Sequence, residues 1–208
     1  MINRYDDFKS FLDSFNTQKV SLETSLHEAS YDDTNKVYVY NDTQDNLNVI
    51  SLDAFAQKIY LYQKFTQEEA HKISANDNKK LPICSVDSFL IDNNGDWYFI
   101  EFKNQEIKNA KESVEQKAYQ NFFWITELLF REKQILNPYT FAKERIYYIL
   151  VVPFEKNERQ SQIMKNLHSS CDFFRPIFME KLRHYVYKDA FVYTSDLFET
   201  FFVKKFQY

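Results

Sequence analysis

Residues 83–105 read ICSVDSFLIDNNGDWYFIEFKNQ, two runs rich in β-branched and aromatic residues on either side of Asn93-Asn94-Gly95. Gly95 is the only glycine among 208 residues. A three-residue hairpin loop whose last position lies in the left-handed region is a common strand connection, and that position wants glycine. With Asn93 to Gly95 as the loop, Asp92 faces Asp96, Asp87 lies opposite Glu101, and Ser85 lies opposite Lys103. Directly opposed residues project to the same side of a sheet. Asp87, Glu101 and Lys103 would then converge on one face. A two-residue Asn94-Gly95 turn would shift the register by one and separate them.

Outward from this ribbon the chain alternates helix and strand. Before it, Leu52, Phe55, Ile59, Tyr62 and Ile73 trace one face of a helix from Ser51, its N-cap, to about residue 74. After it, Ile107, Ala110, Val114, Ala118, Phe122, Ile125 and Leu129 recur at three or four positions, a long helix over 106–133 that Asn137-Pro138 stops. RIYYILVV, 145–152, is a continuous apolar run of the kind a strand buried on both faces requires, and Pro153 ends it. The remainder predicts a polar helix near 157–168, a basic aromatic stretch near 173–188, a short strand at 190–193 and an amphipathic helix over 195–206. At the other end, Tyr5, Phe8, Phe11, Leu12 and Phe15 mark an amphipathic helix, and 37–40 with 47–50 suggest a small hairpin.

Composition removes several functions. One glycine cannot write a dinucleotide fingerprint, a Walker phosphate loop or a nucleophile elbow. Cys84 and Cys171 alone make neither a disulfide framework nor a cysteine-rich zinc site, which favours a cytoplasmic location. No segment approaches the roughly 18–20 apolar residues that span a bilayer, so no membrane partner is expected. The net charge is −4, but residues 1–100 hold 9 Lys or Arg against 16 Asp or Glu, and residues 101–208 hold 17 against 14. Screening confines each charge to its own neighbourhood, about 10 Å at 0.1 M salt, so a locally basic surface can still attract a polyanion.

Asp87, thirteen residues, then Glu101-x-Lys103, set in the order helix, strand, turn, strand, long helix, buried strand, resembles the PD-(D/E)XK nuclease superfamily. That resemblance covers roughly residues 51–153. It departs at Val86, where the motif has proline. It implies an α/β, restriction-endonuclease-like fold: an αβββαβ core, a mixed central sheet flanked by helices. The first core strand is either the weak 47–50 segment or lies elsewhere. A helix-and-hairpin extension over 1–50 would precede a nuclease-like domain over 51–208 with C-terminal helices.

The residue types have a physical rationale. Cleaving a phosphodiester needs stabilisation of charge on phosphoryl oxygens and an activated water, which a hard divalent ion held by carboxylates provides. Carboxylates on adjacent strands, about 5 Å apart at Cβ, can share one ion, and a lysine two positions along the strand stays on the same face. The resemblance implies that Asp87, Glu101 and the backbone carbonyl of Phe102 bind Mg²⁺ or Mn²⁺, that Lys103 assists the attacking water, and that Glu69, or Glu68 with the helix rotated, completes the metal site. Gln116 and Tyr119 are similar to a Gln-x-x-x-Tyr signature of the RecB-like branch, one residue short. Lys108, Lys111 and Lys117, with Tyr119, would line a nucleic-acid track. DNA or RNA is the expected partner, and a homodimer is an open alternative. A competing expectation is a non-catalytic binding or inhibitory module acting through its acidic N-terminal region.

Overall fold

The computed structural model describes residues 2–41, 47–64, 83–167 and 173–206. Along them run α1 (Tyr5–Asp13), β1 (Glu23–Ser25), α2 (Leu26–Ala29), β2 (Tyr31–Asp32), β3 (Val37–Tyr38) and β4 (Asn48–Ile50). Helix α3 begins as Leu52–Phe55 and continues through a π-helical Ala56–Tyr60 into Leu61–Lys64. Then follow β5 (Ser88–Ile91), β6 (Trp97–Phe102), α4 (Ile107–Arg131), α5 (Pro138–Arg145), β7 (Ile146–Val152), α6 (Glu158–Asn166), α7 (Ile177–Tyr185), β8 (Asp189–Thr194) and α8 (Ser195–Phe201).

The central sheet is six-stranded and mixed, in the order β1-β4-β5-β6-β7-β8. Its first three pairings are antiparallel, while β6–β7 and β7–β8 are parallel. Parallel neighbours need a crossover, and α4 with α5 provides it between β6 and β7. Helices cover both faces. Along β7, Ile146, Tyr148, Leu150 and Val152 join the layer that holds α1, α3, α4 and α7, while Ile149 and Val151 join the layer under α6 and α8. That two-sided burial is what the unbroken apolar run demanded.

The β5–β6 ribbon adopts the three-residue loop register. Ser88 pairs with Ile100, Phe89 with Phe99, Leu90 with Tyr98 and Ile91 with Trp97. Gly95 has φ +76°, and its N–H donates to the Asp92 carbonyl at 3.0 Å. The Asp92 carboxylate accepts the Asn94 and Asp96 N–H groups, both at 2.9 Å, so side chain and glycine together set the turn.

Elsewhere the structure corrects the expectations. The 37–40 and 47–50 segments do not pair: β3 pairs with β2, and β4 pairs with β1 and β5. Three-residue strands carry too little periodicity to specify partners. Two of the six sheet strands thus come from residues 1–50, and Phe8 and Leu12 of α1 lie in the same core as Phe89 and Trp97. Helix α3 falls between β4 and β5, so the antiparallel strands β4, β5 and β6 do not follow one another directly in the chain. Asn137 does not stop the long helix, which ends at Arg131. Its side chain instead accepts the Thr140 N–H at 3.0 Å and starts α5, with Pro138 at the first helical turn.

Candidate active site

Lys103, just past the end of β6, has its N–H bonded to the Val151 carbonyl of β7 at 2.9 Å. Backbone groups alternate along a strand, so those of Phe102 turn toward the Asp87 side. There the Phe102 N–H donates to Asp87 Oδ2 at 2.7 Å. Asp87 immediately precedes β5, where the ribbon strands part, and this bond fixes its carboxylate against the end of β6. The Phe102 ring packs against Phe198 on the far face, leaving its backbone beside the cavity that Asp87, Lys103 and Lys117 line.

Glu101 and Lys103 project from the same face as Asp87, and Lys103 Nζ lies 2.9 Å from Glu101 Oε1. Glu101 is fully buried. The fourth member is Lys117 of α4. Its ammonium lies 3.1 Å from Asp87 Oδ1, 2.9 Å from Glu101 Oε2 and 2.8 Å from Glu101 Oε1. Two carboxylates therefore already hold one positive charge between them. Oε1 faces two ammonium nitrogens off the hydrogen-bonding directions, so its pairing is ionic and it has no hydrogen bond.

Burial pushes the Glu101 carboxyl up to about 7, the Asp87 charge adds to the rise, and Lys117 and Lys103 oppose it. Burial would lower the Lys117 amine, but the Asp87 and Glu101 charges outweigh it and hold the amine above its ordinary value. The Tyr148 phenol on the same face is raised well above the usual range, first by burial and then by the Glu101 charge.

Helix α4 positions this cluster. Gln120 Oε1 accepts the Cys84 N–H at 2.8 Å, and Asn121 Oδ1 accepts the Ser85 hydroxyl at 2.8 Å and the Val86 N–H at 3.4 Å. The segment leading into Asp87 is thereby pinned to the helix that delivers Lys117. At the helix start, Asn157 Oδ1 accepts the Ile107 N–H at 3.0 Å while its amide donates to the Gln105 and Pro153 carbonyls. This buried asparagine ties the segment after Lys103 to the end of β7.

Of the residues singled out from sequence, the fold brings together Asp87, Glu101, Lys103 and the Phe102 backbone. Lys117 was read as part of a phosphate track; it is instead central to the carboxylates, because its position on α4 faces the sheet. Gln116, one residue before it, is exposed and makes no hydrogen bond to the cluster. Tyr119 is half-buried against the core. Lys108 is exposed and pairs with Glu106 at 2.7 Å, and Lys111 is exposed. Glu69 and Glu68 lie outside the described residues. Asn121 and Asn157 were missed. The available signal for the first was two polar residues, Lys117 and Asn121, set among Val114, Ala118 and Ile125 in an otherwise apolar stripe.

Among the described residues no group of three or more His, Cys, Asp or Glu side chains is placed to hold a metal, and no helix is long and apolar enough to cross a membrane. The chain matches no protein-family model, no curated protein and no solved structure.

Proposed function

We propose that the chain is a divalent-metal-dependent nuclease of the restriction-endonuclease-like type, hydrolysing nucleic-acid phosphodiester bonds at Asp87, Glu101 and Lys103. The observation that carries this reading is the meeting of those side chains on one face of the β5–β6 ribbon, with a single cation shared by the two carboxylates. The mixed sheet, with its antiparallel ribbon and α4 crossover to a parallel β7, supports the fold assignment.

The donor set fits a hard divalent ion. Asp87, Glu101 and the Phe102 carbonyl would supply oxygen donors, and the Lys117 ammonium, within 3.1 Å of Asp87 and 2.8 Å of Glu101, marks a cation position between the two carboxylates. When bound, such an ion lowers the pKa of a coordinated water and neutralises charge on the phosphoryl oxygens. The remaining work belongs to the chain. Lys103, held beside Glu101, donates toward the attacking water or the phosphoryl oxygen on which negative charge grows. Lys117 bridges Asp87 and Glu101 and holds the two carboxylates together. The Phe102 N–H keeps Asp87 in place throughout. In the reaction water forms a new P–O bond, the bond to the leaving oxygen breaks, and the leaving alkoxide takes up a proton.

Purified protein with Mg²⁺ or Mn²⁺ is expected to cleave DNA or RNA, and Asp87→Ala or Lys103→Ala to abolish it. Cleavage that survives both substitutions removes the assignment.

The placement of Lys117 favours a second reading, a nuclease-like module without turnover. Two ammonium groups balance two carboxylates, and that balance can serve as a permanent structural cluster. Calorimetric titration with Mn²⁺ separates the two: the enzyme binds the ion and loses it on Glu101→Ala, and the module shows no binding.

A further inference from the structure

A second cavity, of about 540 Å³, lies on the other face of the sheet from the Asp87 cluster, over the starts of β6, β7 and β8. Alternation along β6 separates the two sites: Glu101 points into the layer of α4, whereas Tyr98, three positions earlier, points into the layer of α8. Tyr98, Tyr147 and Asp189 form one cross-strand row on this face.

Aromatic rings border the cavity along both margins. On the β6–β7 side Tyr98 stacks on Tyr147 with centroids 5.1 Å apart, and Phe202 and Phe206 meet the Tyr98 ring edge-on at 5.2 and 5.7 Å. On the β8 side Phe173 stacks on Phe191 at 4.4 Å. Tyr98, Tyr147, Phe173 and Phe206 pack against the apolar layer yet stay half-buried. Half-buried rings around an open cavity offer π surface that a close-packed core would have covered.

The charges at this cavity are matched. Arg175 Nη2 lies 2.8 Å from each Asp189 carboxylate oxygen. Asp92 spends its carboxylate on the Asn94 and Asp96 N–H groups and on the Tyr98 hydroxyl, 3.0 Å away, and Lys205 adds a positive charge to the same lining. A lining so balanced suits an uncharged occupant, because a net charge brought there loses water without gaining a free counter-charge. Asn93 and Asn94 supply a polar edge. Both are exposed, and among the described residues neither side-chain amide, each a donor and an acceptor, makes a hydrogen bond.

We propose that this cavity binds an uncharged, planar nitrogen heterocycle of purine size, with its ring stacked among Tyr147, Phe173 and Phe206 and its polar edge read by Asn93 and Asn94. Flat rings satisfy aromatic faces, an amide matches a ring nitrogen beside an exocyclic group, and the volume falls in the range of small-molecule sites, about 300–1,000 Å³. The cavity shares no lining residue with the Asp87 site, so the proposal stands whether or not the chain is a hydrolase.

The test uses the full chain without added metal and adenosine as the probe, titrated by calorimetry and followed by proton NMR. Adenosine should bind, with its H2 and H8 resonances moving upfield as stacking requires. Cyclohexanol, apolar but not planar, and tetramethylammonium, the cation an aromatic cage would take, should each bind at least about tenfold more weakly. Tyr147→Ala and the milder Phe206→Leu, each shown folded by thermal denaturation, should weaken adenosine by about tenfold and about fivefold. Asn93→Ala/Asn94→Ala should weaken it by about fivefold and leave the upfield shifts in place. Absence of adenosine binding up to about 10 mM, equal or tighter binding of tetramethylammonium, or unchanged affinity in the folded ring variants overturns the proposal.

Discussion

Replacing Lys117 by methionine keeps most of the side chain's volume and deletes the charge that Asp87 and Glu101 share. The two carboxylates then face each other at the edge of an apolar layer with Lys103 as their remaining cation. Breaking a buried ion pair by removing one partner costs about 3–5 kcal/mol. The Lys117 and Asp87 side chains each keep about a fifth of their surface exposed, so the lower end, about 3 kcal/mol, applies at pH 8.5. The cost should shrink in acid. Glu101 already has a folded-state pKa raised from 4.5 to about 7, and loss of Lys117 raises it further. A carboxyl raised on folding holds a proton that the unfolded chain has released, so its stabilising share is complete below 4.5 and is lost as pH climbs through the folded value. At pH 5.5 the variant can neutralise Glu101, and its deficit should fall to about 1 kcal/mol. Urea denaturation of both proteins at pH 5.5 and 8.5 measures the two gaps. Mn²⁺ should raise the variant's midpoint, by taking the vacated position in the native state only. A gap that is equal at both pH values, with a midpoint indifferent to Mn²⁺, refutes the reasoning.

Glu101→Gln should flatten the fall in stability between pH 4.5 and about 7, a span corresponding to at most about 3 kcal/mol in wild type, as read from denaturation midpoints across that range. Because Glu101 must give up a proton to bind a cation, Mn²⁺ affinity measured by calorimetry should weaken about fivefold from pH 7 to pH 6; a pH-independent affinity would count against Glu101 as a ligand. Asn121→Ala should cost about 1 kcal/mol, by leaving the Ser85 hydroxyl without its acceptor, and should lower cleavage although the side chain touches no substrate. Gly95→Ala should cost about 1 kcal/mol in thermal denaturation, since φ +76° is strained for any residue with a Cβ.

The ribbon register was legible because one glycine and one loop length fix it, and strand alternation then places Asp87, Glu101 and Lys103 without further information. The buried strand β7 and the long helix α4 were legible for the same reason, each having a single period over many residues. The role of Lys117 was not. Its direction depends on how α4 lies across the sheet, and only its company with Asn121 in an apolar stripe hints at it. The pairing of β1 with β4 was also hidden, because three-residue strands brought together across 23 positions are joined by tertiary packing and not by local pattern. Asn157 acts across 50 positions on Ile107, a bond no spacing rule anticipates.

The amine that balances the ribbon's two acids arrives from a different element. Residues 83–105 alone carry more acid than base on the face that becomes interior, and the deficit is made good only once the following crossover has docked. A chain that stops before residue 106 thus retains an uncompensated anionic strip against its own hydrophobic layer. Docking of the helix therefore neutralises charge as well as covering apolar surface, which couples the stability of ribbon and helix.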